Sequence, residues 1–131
     1  MNFLDKFTKL RELEAVEREI SEQRRMLAQP LLSDYDLLPR IKDIIYADDS
    51  DIDMRKVFIC VALFLYAPGA LMGKKMPRYL RTKIGECVGI KPKCAPQVSN
   101  IVSNLLLEYT VYKGFRDNVD FCYNKVIAEL L

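Results

Sequence analysis

The chain has 131 residues, 20 Lys and Arg against 18 Asp and Glu for a formal charge of +2, four Cys, and neither His nor Trp. Half of the residues are hydrophobic and 29% are charged, the balance of a single globular domain able to bury a core, which excludes a wholly disordered chain. Without His the chain lacks the commonest general base, metal ligand and pH switch, so imidazole-based triads, zincin sites and His-ligated haem are excluded as well.

From residue 3 to residue 29 no Pro or Gly interrupts a stretch rich in Glu, Arg, Leu and Lys, which predicts one helix of roughly 40 Å. Its apolar residues Phe3, Phe7, Leu10, Leu13, Val16, Ile20 and Leu27 form a narrow stripe with three- and four-residue spacings. Gln23 interrupts the stripe, and charges flank it, with Asp5 and Lys9, and Glu14 and Arg18, four apart. Two readings stay open: a coiled coil joining a second copy or a helical protein partner through residues 3–29, or an amphipathic helix folded back on its own domain.

Pro30 ends the helix and residues 31–36 connect it to a second one. That second helix starts near Asp36, with Pro39 in the first turn where its missing N–H is harmless, and carries Leu38, Ile41, Ile44 and Ile45. Residues 47–53 read as an acidic loop, and Ser50 with Asp53 has the spacing of a capping box for a third helix over about 51–66. The apolar run 57–66 is far short of the ~20 residues a membrane span needs, so it reads as a buried core helix and no membrane partner is expected. Pro68, Gly69 and Gly73 break that helix, Pro77 opens a fourth over about 77–88, and Gly89 stops it. Pro96 opens a fifth, running to about Lys113. Gly114 separates it from a sixth over about 115–130, where Phe115, Val119, Cys122, Val126 and Leu130 share a face. No alternating strand and no repeat is found. The expected fold class is all-α: a long helix over residues 1–30, then a compact domain of about five helices over 31–131, with a helix-turn-helix-like unit at 77–113.

Cys60, Cys87, Cys94 and Cys122 are separated by 27, 7 and 28 positions with no C-x-x-C, so neither a structural metal nor any other cofactor is expected. The start, Met1-Asn2-Phe3-Leu4-Asp5-Lys6, is charged where a secretory signal would be apolar. Free thiols in a reducing, cytoplasmic compartment are expected, a bridge between Cys87 and Cys94 being the lesser alternative. Gly69-Ala-Leu-Met-Gly73-Lys74-Lys75 glances at a phosphate-binding loop, but three residues separate the glycines, Lys75 stands where Ser or Thr is required, and no strand precedes it. The acids Asp48, Asp49, Asp51 and Asp53 suggest a calcium loop, but counted from Asp49 the sixth position is Met54 and the twelfth is Cys60. No catalytic residue is assigned, and no enzyme is expected.

The remaining constellation is basic. Lys74, Lys75, Arg78, Arg81, Lys83, Lys91 and Lys93 fall within twenty residues that hold one acid, Glu86. Residues 54–95 carry nine positive charges and one negative, and residues 31–53 carry two and seven, so the near-neutral total conceals segregation that suits a polyanion or an acidic loop docked on the basic segment. Small Gly85 inside the fourth helix lets the next one approach, and Gly89 turns the chain. At 100° per residue Val98, Ile101, Val102, Leu105, Tyr109 and Tyr112 form a buried face of the fifth helix, with Asn100, Ser103 and Asn104 pointing away. Amide side chains can pair with adenine edges in the major groove while Lys and Arg hold phosphates, so Gln97 and Asn100 are the leading base-edge candidates, followed by Ser103 and Asn104. Leu107 and Val111, farther along the outward face, are expected to meet protein.

Ile84-Gly85-Glu86-Cys87-Val88-Gly89, after a basic helix and before a polar turn and a Val-containing helix, resembles the C-terminal DNA-binding domain of the replication initiator DnaA. The likeness covers about residues 52–130 in helix order, its specific part being some twenty residues. It implies that Lys91 and Lys93 grip backbone phosphates and that Gln97, Val98, Ser99 and Asn100 enter the major groove of double-stranded DNA. The chain lacks the family's Arg-Asp-His-Thr-Thr signature, its turn is about two residues longer, and Pro96 opens the second helix. The pattern Lys56, Leu65-Tyr66-x-Pro68, Gly73, Met76-Pro77, Leu80-Arg81, Tyr112, Phe115-Arg116, Val119-Asp120 and Tyr123 also resembles small proteins of bacteriophages and mobile elements, which implies a cytoplasmic or virion-associated product. The competing expectation is a structural or adaptor protein, such as a phage-assembly component, acting through the N-terminal helix and the Leu107 and Val111 face.

Overall fold

A computed structural model describes residues 2–47, 51–94 and 96–131. It is all-helical, with seven α-helices and two short 3-10 turns among the described residues. The first helix, α1 (Phe3–Leu27), starts where the Asn2 side chain accepts the Asp5 N–H at 2.9 Å. Asp5 in its first turn and Arg24 and Arg25 in its last complement the helix dipole. None of its residues is buried, although its end, at Ile20 and Leu27, lines a groove with Phe64, Leu71 and Leu106 of the body. The connector beyond it is tied down by the N–H groups of Leu31 and Leu32, which both donate to the Leu65 carbonyl, at 2.9 and 3.0 Å.

A 3-10 turn at Tyr35–Leu37 leads into α2 (Leu38–Ile45), with Pro39 at its start as the sequence predicts. The capping-box reading of Ser50 lies outside the described residues, as do Asp48 and Asp49. The cap of α3 (Ile52–Tyr66) is Asp51, whose carboxylate accepts the Met54 N–H at 3.2 Å. From Val57 to Leu63 every residue of α3 is buried, as expected of a helix that is apolar on all sides. It is the central element, packed by α2, by α4 (Pro68–Leu71), by α6 (Pro96–Val111) and by α7 (Lys113–Leu130). Phe58, Ile59, Leu63 and Leu65 of α3 meet Leu38 and Ile41 of α2, Leu80 and Ile84 of α5 (Arg78–Cys87), and Val98 and Leu105 of α6 in one core. Each such burial stabilises by about 1.5–3 kcal/mol.

Two boundaries differ from expectation. Pro68 starts a four-residue helix, α4, where the sequence suggests only a break. The break between the last two helices falls at Tyr112, not at Gly114. Tyr112 is extended (φ −100°, ψ 106°), its N–H closes α6 on the Glu108 carbonyl, and its carbonyl accepts the Arg116 N–H of α7. Gly114 therefore lies inside the first turn of α7. On that helix Val119, Cys122 and Val126 are buried, with Phe115 and Leu130 at the margin, the face that the sequence spacing predicts. All four cysteines are free. No described helix is long and apolar enough to cross a membrane.

Candidate nucleic-acid interface

Pro77 enters α5 with an extended backbone (ψ 133°), and the helix runs only ten residues before Gly89 turns the chain. Gly89 has φ +80°, where a side chain costs about 1–2 kcal/mol. Gly85 is the contact point between α5 and α6. A Cβ there would stand 3.3 Å from the Ile90 carbonyl oxygen and 3.5 Å from Val98 Cγ2. The Ile90 N–H donates to the Gly85 carbonyl at 2.7 Å, fixing the turn against the helix it has just left. With Leu80, Ile84, Val88, Ile90 and Val98 buried beneath it, the corner is a packed unit from which α6 departs with its N-terminal turn outward.

On α6, Gln97, Asn100, Ser103 and Asn104 are exposed and Ser99 is half-buried. Arg81 of α5 reaches across to Ser99, with Nη1 at 3.5 Å from Oγ and Nε buried without a partner. Ser103 Oγ and Asn104 Nδ2 both donate to the Asn100 carbonyl, at 2.8 and 3.3 Å. Those two side chains are therefore partly committed to their own helix, leaving Gln97 and Asn100 as the freer donors and acceptors. The predicted inward face holds for Val98 and Leu105, which are buried, and in part for Ile101, Val102 and Tyr109. Tyr112 is 61% exposed because its extended backbone lifts it off the helix. Leu107 and Val111 are exposed, as the wheel predicts.

The seven predicted cations are spread over the segment before α5, α5 itself and the turn after it. Arg78 lies one turn before Arg81 on α5, and Lys91 and Lys93 are exposed at the turn that delivers α6. Lys75 is exposed, while Lys74 is exposed with its aliphatic stem laid against Gly69. Lys83 is turned elsewhere. Its ammonium sits 5.4 Å from the Tyr79 ring and 3.9 Å from the Glu86 carboxylate. It borders a cavity of about 350 Å³ with Asp36, Lys42, Asp43 and Glu86, between α2 and α5. Hydrogen bonding to Tyr79, with that ring's and Glu86's charge, holds its pKa above the ordinary lysine value.

Two polar contacts that sequence reasoning misses set the pose of α6. Lys56 of α3 pairs with Glu108 at 3.1 Å, and the Tyr109 hydroxyl donates to the Asp120 carboxylate of α7 at 2.7 Å. That hydrogen bond, ahead of burial and the Asp120 charge, pushes the Tyr109 phenol up. Half-exposed pairs of this kind add about 1 kcal/mol or less each, so their effect is chiefly on orientation.

No family model, no curated protein and no solved structure matches this chain. What the corner can do is therefore read from its own chemistry. The first turns of α6 present amides and hydroxyls with no carboxylate among them, and Lys91 and Lys93 are exposed at the turn before it. Among the described residues no cluster of carboxylates and thiols could hold a metal ion.

Proposed function

We propose that the chain binds double-stranded DNA, with α5, its turn and α6 acting as a helix-turn-helix. The observation that carries the reading is the Gly85 contact, which lets the α6 N-terminus project beside the basic turn while Gln97 and Asn100 stay exposed. In this arrangement Lys74, Lys75, Arg78, Lys91 and Lys93 hold phosphates, and Arg81 braces Ser99 at the corner. Gln97 and Asn100 meet base edges in the major groove, where an amide offers the paired donor and acceptor that adenine requires. Ser103 and Asn104 follow along the groove. Lys83 is left out, because Tyr79 and Glu86 hold it on the α2 side.

Titration of labelled random duplex DNA at two salt concentrations tests this. Neutralised phosphates release counterions, so affinity falls steeply with salt, with a slope of about −0.9 per phosphate contact. Changing Lys75, Arg78, Lys91 and Lys93 together to Ala should weaken binding and flatten that slope, whereas Lys83→Ala should leave both unchanged. Unchanged affinity in the folded quadruple variant refutes the reading. The exposure of Leu107 (63%) and Val111 (59%) favours a second reading, an adaptor that docks protein on the outer face of α6. A chain that ignores duplex DNA at low salt, and loses a protein partner on Leu107→Ser with Val111→Ser, would establish that reading instead.

A further inference from the structure

Two donors meet at the seam between α5 and α6 without an acceptor. Ser99 Oγ accepts from Arg81 Nη1 at 3.5 Å and has no other hydrogen-bond partner among the described residues. Other hydroxyls of these helices turn back on their own backbone: Thr82 donates to the Arg78 carbonyl at 3.2 Å, Ser103 to Asn100 at 2.8 Å and Thr110 to Leu106 at 2.8 Å. Because the Arg81 N–H takes a lone pair of Ser99 Oγ, the hydroxyl proton is directed away from the guanidinium, toward a further acceptor.

Arg81 is unmatched in charge as well. Glu86, the one acid on α5, faces Lys83, and Glu108, the one acid on α6, pairs with Lys56. No carboxylate of the described residues pairs with Arg81. Its Nε is enclosed without a partner, so the guanidinium rests on that edge, while Nη2 is not among the enclosed atoms. A half-buried guanidinium so placed has given up water and gained no counter-charge.

From this we infer that Arg81 and Ser99 together hold one phosphate at the seam, with Arg81 Nη2 and the Ser99 hydroxyl donating to its oxygens. On the DNA-binding reading proposed above, on which this source rests, the phosphate belongs to the duplex backbone. Arg78, one turn earlier on α5, and Lys91 and Lys93, in the turn to α6, are exposed, and cations spread in this way fit the repeated charge of a nucleic-acid strand better than a single carboxylate. The clamp takes one donor from each helix, so it forms only when α6 leaves α5 as the Gly85 contact dictates. It would fix the register of α6 on the duplex before any base is read.

Two measurements on the full chain test the site and its source separately. Inorganic phosphate titrated at constant ionic strength should shift the Ser99 amide and Arg81 side-chain resonances, where chloride does not, and Arg81→Gln should abolish the Ser99 shift. No shift, or one that persists in Arg81→Gln, overturns the site. With labelled duplex DNA, Arg81→Gln should weaken binding about tenfold and reduce the salt slope by about 0.9, the value of one phosphate contact. Ser99→Ala should weaken binding severalfold with the slope unchanged, and should add little in the Arg81→Gln background. Arg81→Lys, which keeps the charge and spares the fold, should restore the slope. A mere brace would leave the slope of Arg81→Gln where it was, and that result refutes the clamp. Phosphate shifts with DNA affinity unchanged in both variants would assign the site to free phosphate and overturn the backbone source. A chain that ignores DNA yet keeps the shifts supports the site and refutes the DNA reading, so the two fail separately.

Discussion

Gly85→Ala and Gly114→Ala place the same methyl group in two helices with opposite expected consequences. At Gly114, in the first turn of α7, a Cβ meets nothing within 4 Å. Alanine there only reduces the freedom of the unfolded chain, and should stabilise by about 0.4–1 kcal/mol. At Gly85 the same gain is set against a carbonyl oxygen at 3.3 Å and a methyl at 3.5 Å. The carbonyl belongs to Ile90, whose own N–H is anchored to Gly85 at 2.7 Å, so the neighbour cannot retreat without loosening the turn. Overpacking costs about 1–3 kcal/mol, which, set against a gain of about 0.4–1 kcal/mol, leaves Gly85→Ala between neutral and about 2.6 kcal/mol destabilising. The two variants should therefore differ by about 1–3 kcal/mol, the overpacking cost itself. Urea unfolding with matched m-values measures this difference. A Gly85→Ala protein as stable as Gly114→Ala would refute the close approach of α5 and α6, and with it the geometry on which the proposed DNA-binding role depends.

Leu105→Ala, at a fully buried site beneath α6, should cost about 2–5 kcal/mol, and Leu107→Ala, on the outer face of the same helix, about 0.5 kcal/mol or less; equal losses in thermal unfolding would contradict the assigned face. Stability should decline in alkali. Burial first, then the Asp120 and Glu108 charges, push the Cys60 thiol up from 9.0 to about 12, and burial with the Asp34 charge pushes the Tyr66 phenol up from 10.0 to about 12. Both folded values are raised, so the stabilisation is complete below about pH 9 and fades towards pH 12, by up to about 1.4 kcal/mol per pH unit for each group. Denaturation midpoints that stay flat from pH 8 to pH 11 would show that these groups are not shielded. Asn100→Ala should change preference among duplex sequences while leaving the salt slope nearly as it was, and a reversed pattern in competition binding would assign Asn100 to the backbone.

Most of the architecture is legible in the sequence because it rests on local rules. Prolines at helix starts, Gly89 at a stop and the all-apolar stretch of α3 act within a few residues, and the structure follows them. Gly85 is readable too, since a small residue inside a short helix before a turn has few other reasons to be there. Lys83, too, has a separate position readable from local spacing. It follows Arg81 by two positions, about 200° around a helix, so the two could not share a face, and the spacing alone carried that signal. The Lys56 and Glu108 pair spans 52 residues, and no pattern along the chain announces it. Tyr112 misleads because helical periodicity assigns it a buried position, whereas the chain has already left the helix there.

The Leu65 carbonyl, which takes both Leu31 and Leu32 N–H groups, sits at the end of the most deeply buried helix and anchors the least buried one. Opening that single acceptor would release α1 without exposing Phe58, Ile59 or Leu63. The chain should then behave as two cooperative units of unequal lifetime, with α1 amides exchanging with solvent at low protection while the amides of α3 wait for global unfolding. Limited trypsin digestion should cut after Arg24 or Arg25 and leave the body intact.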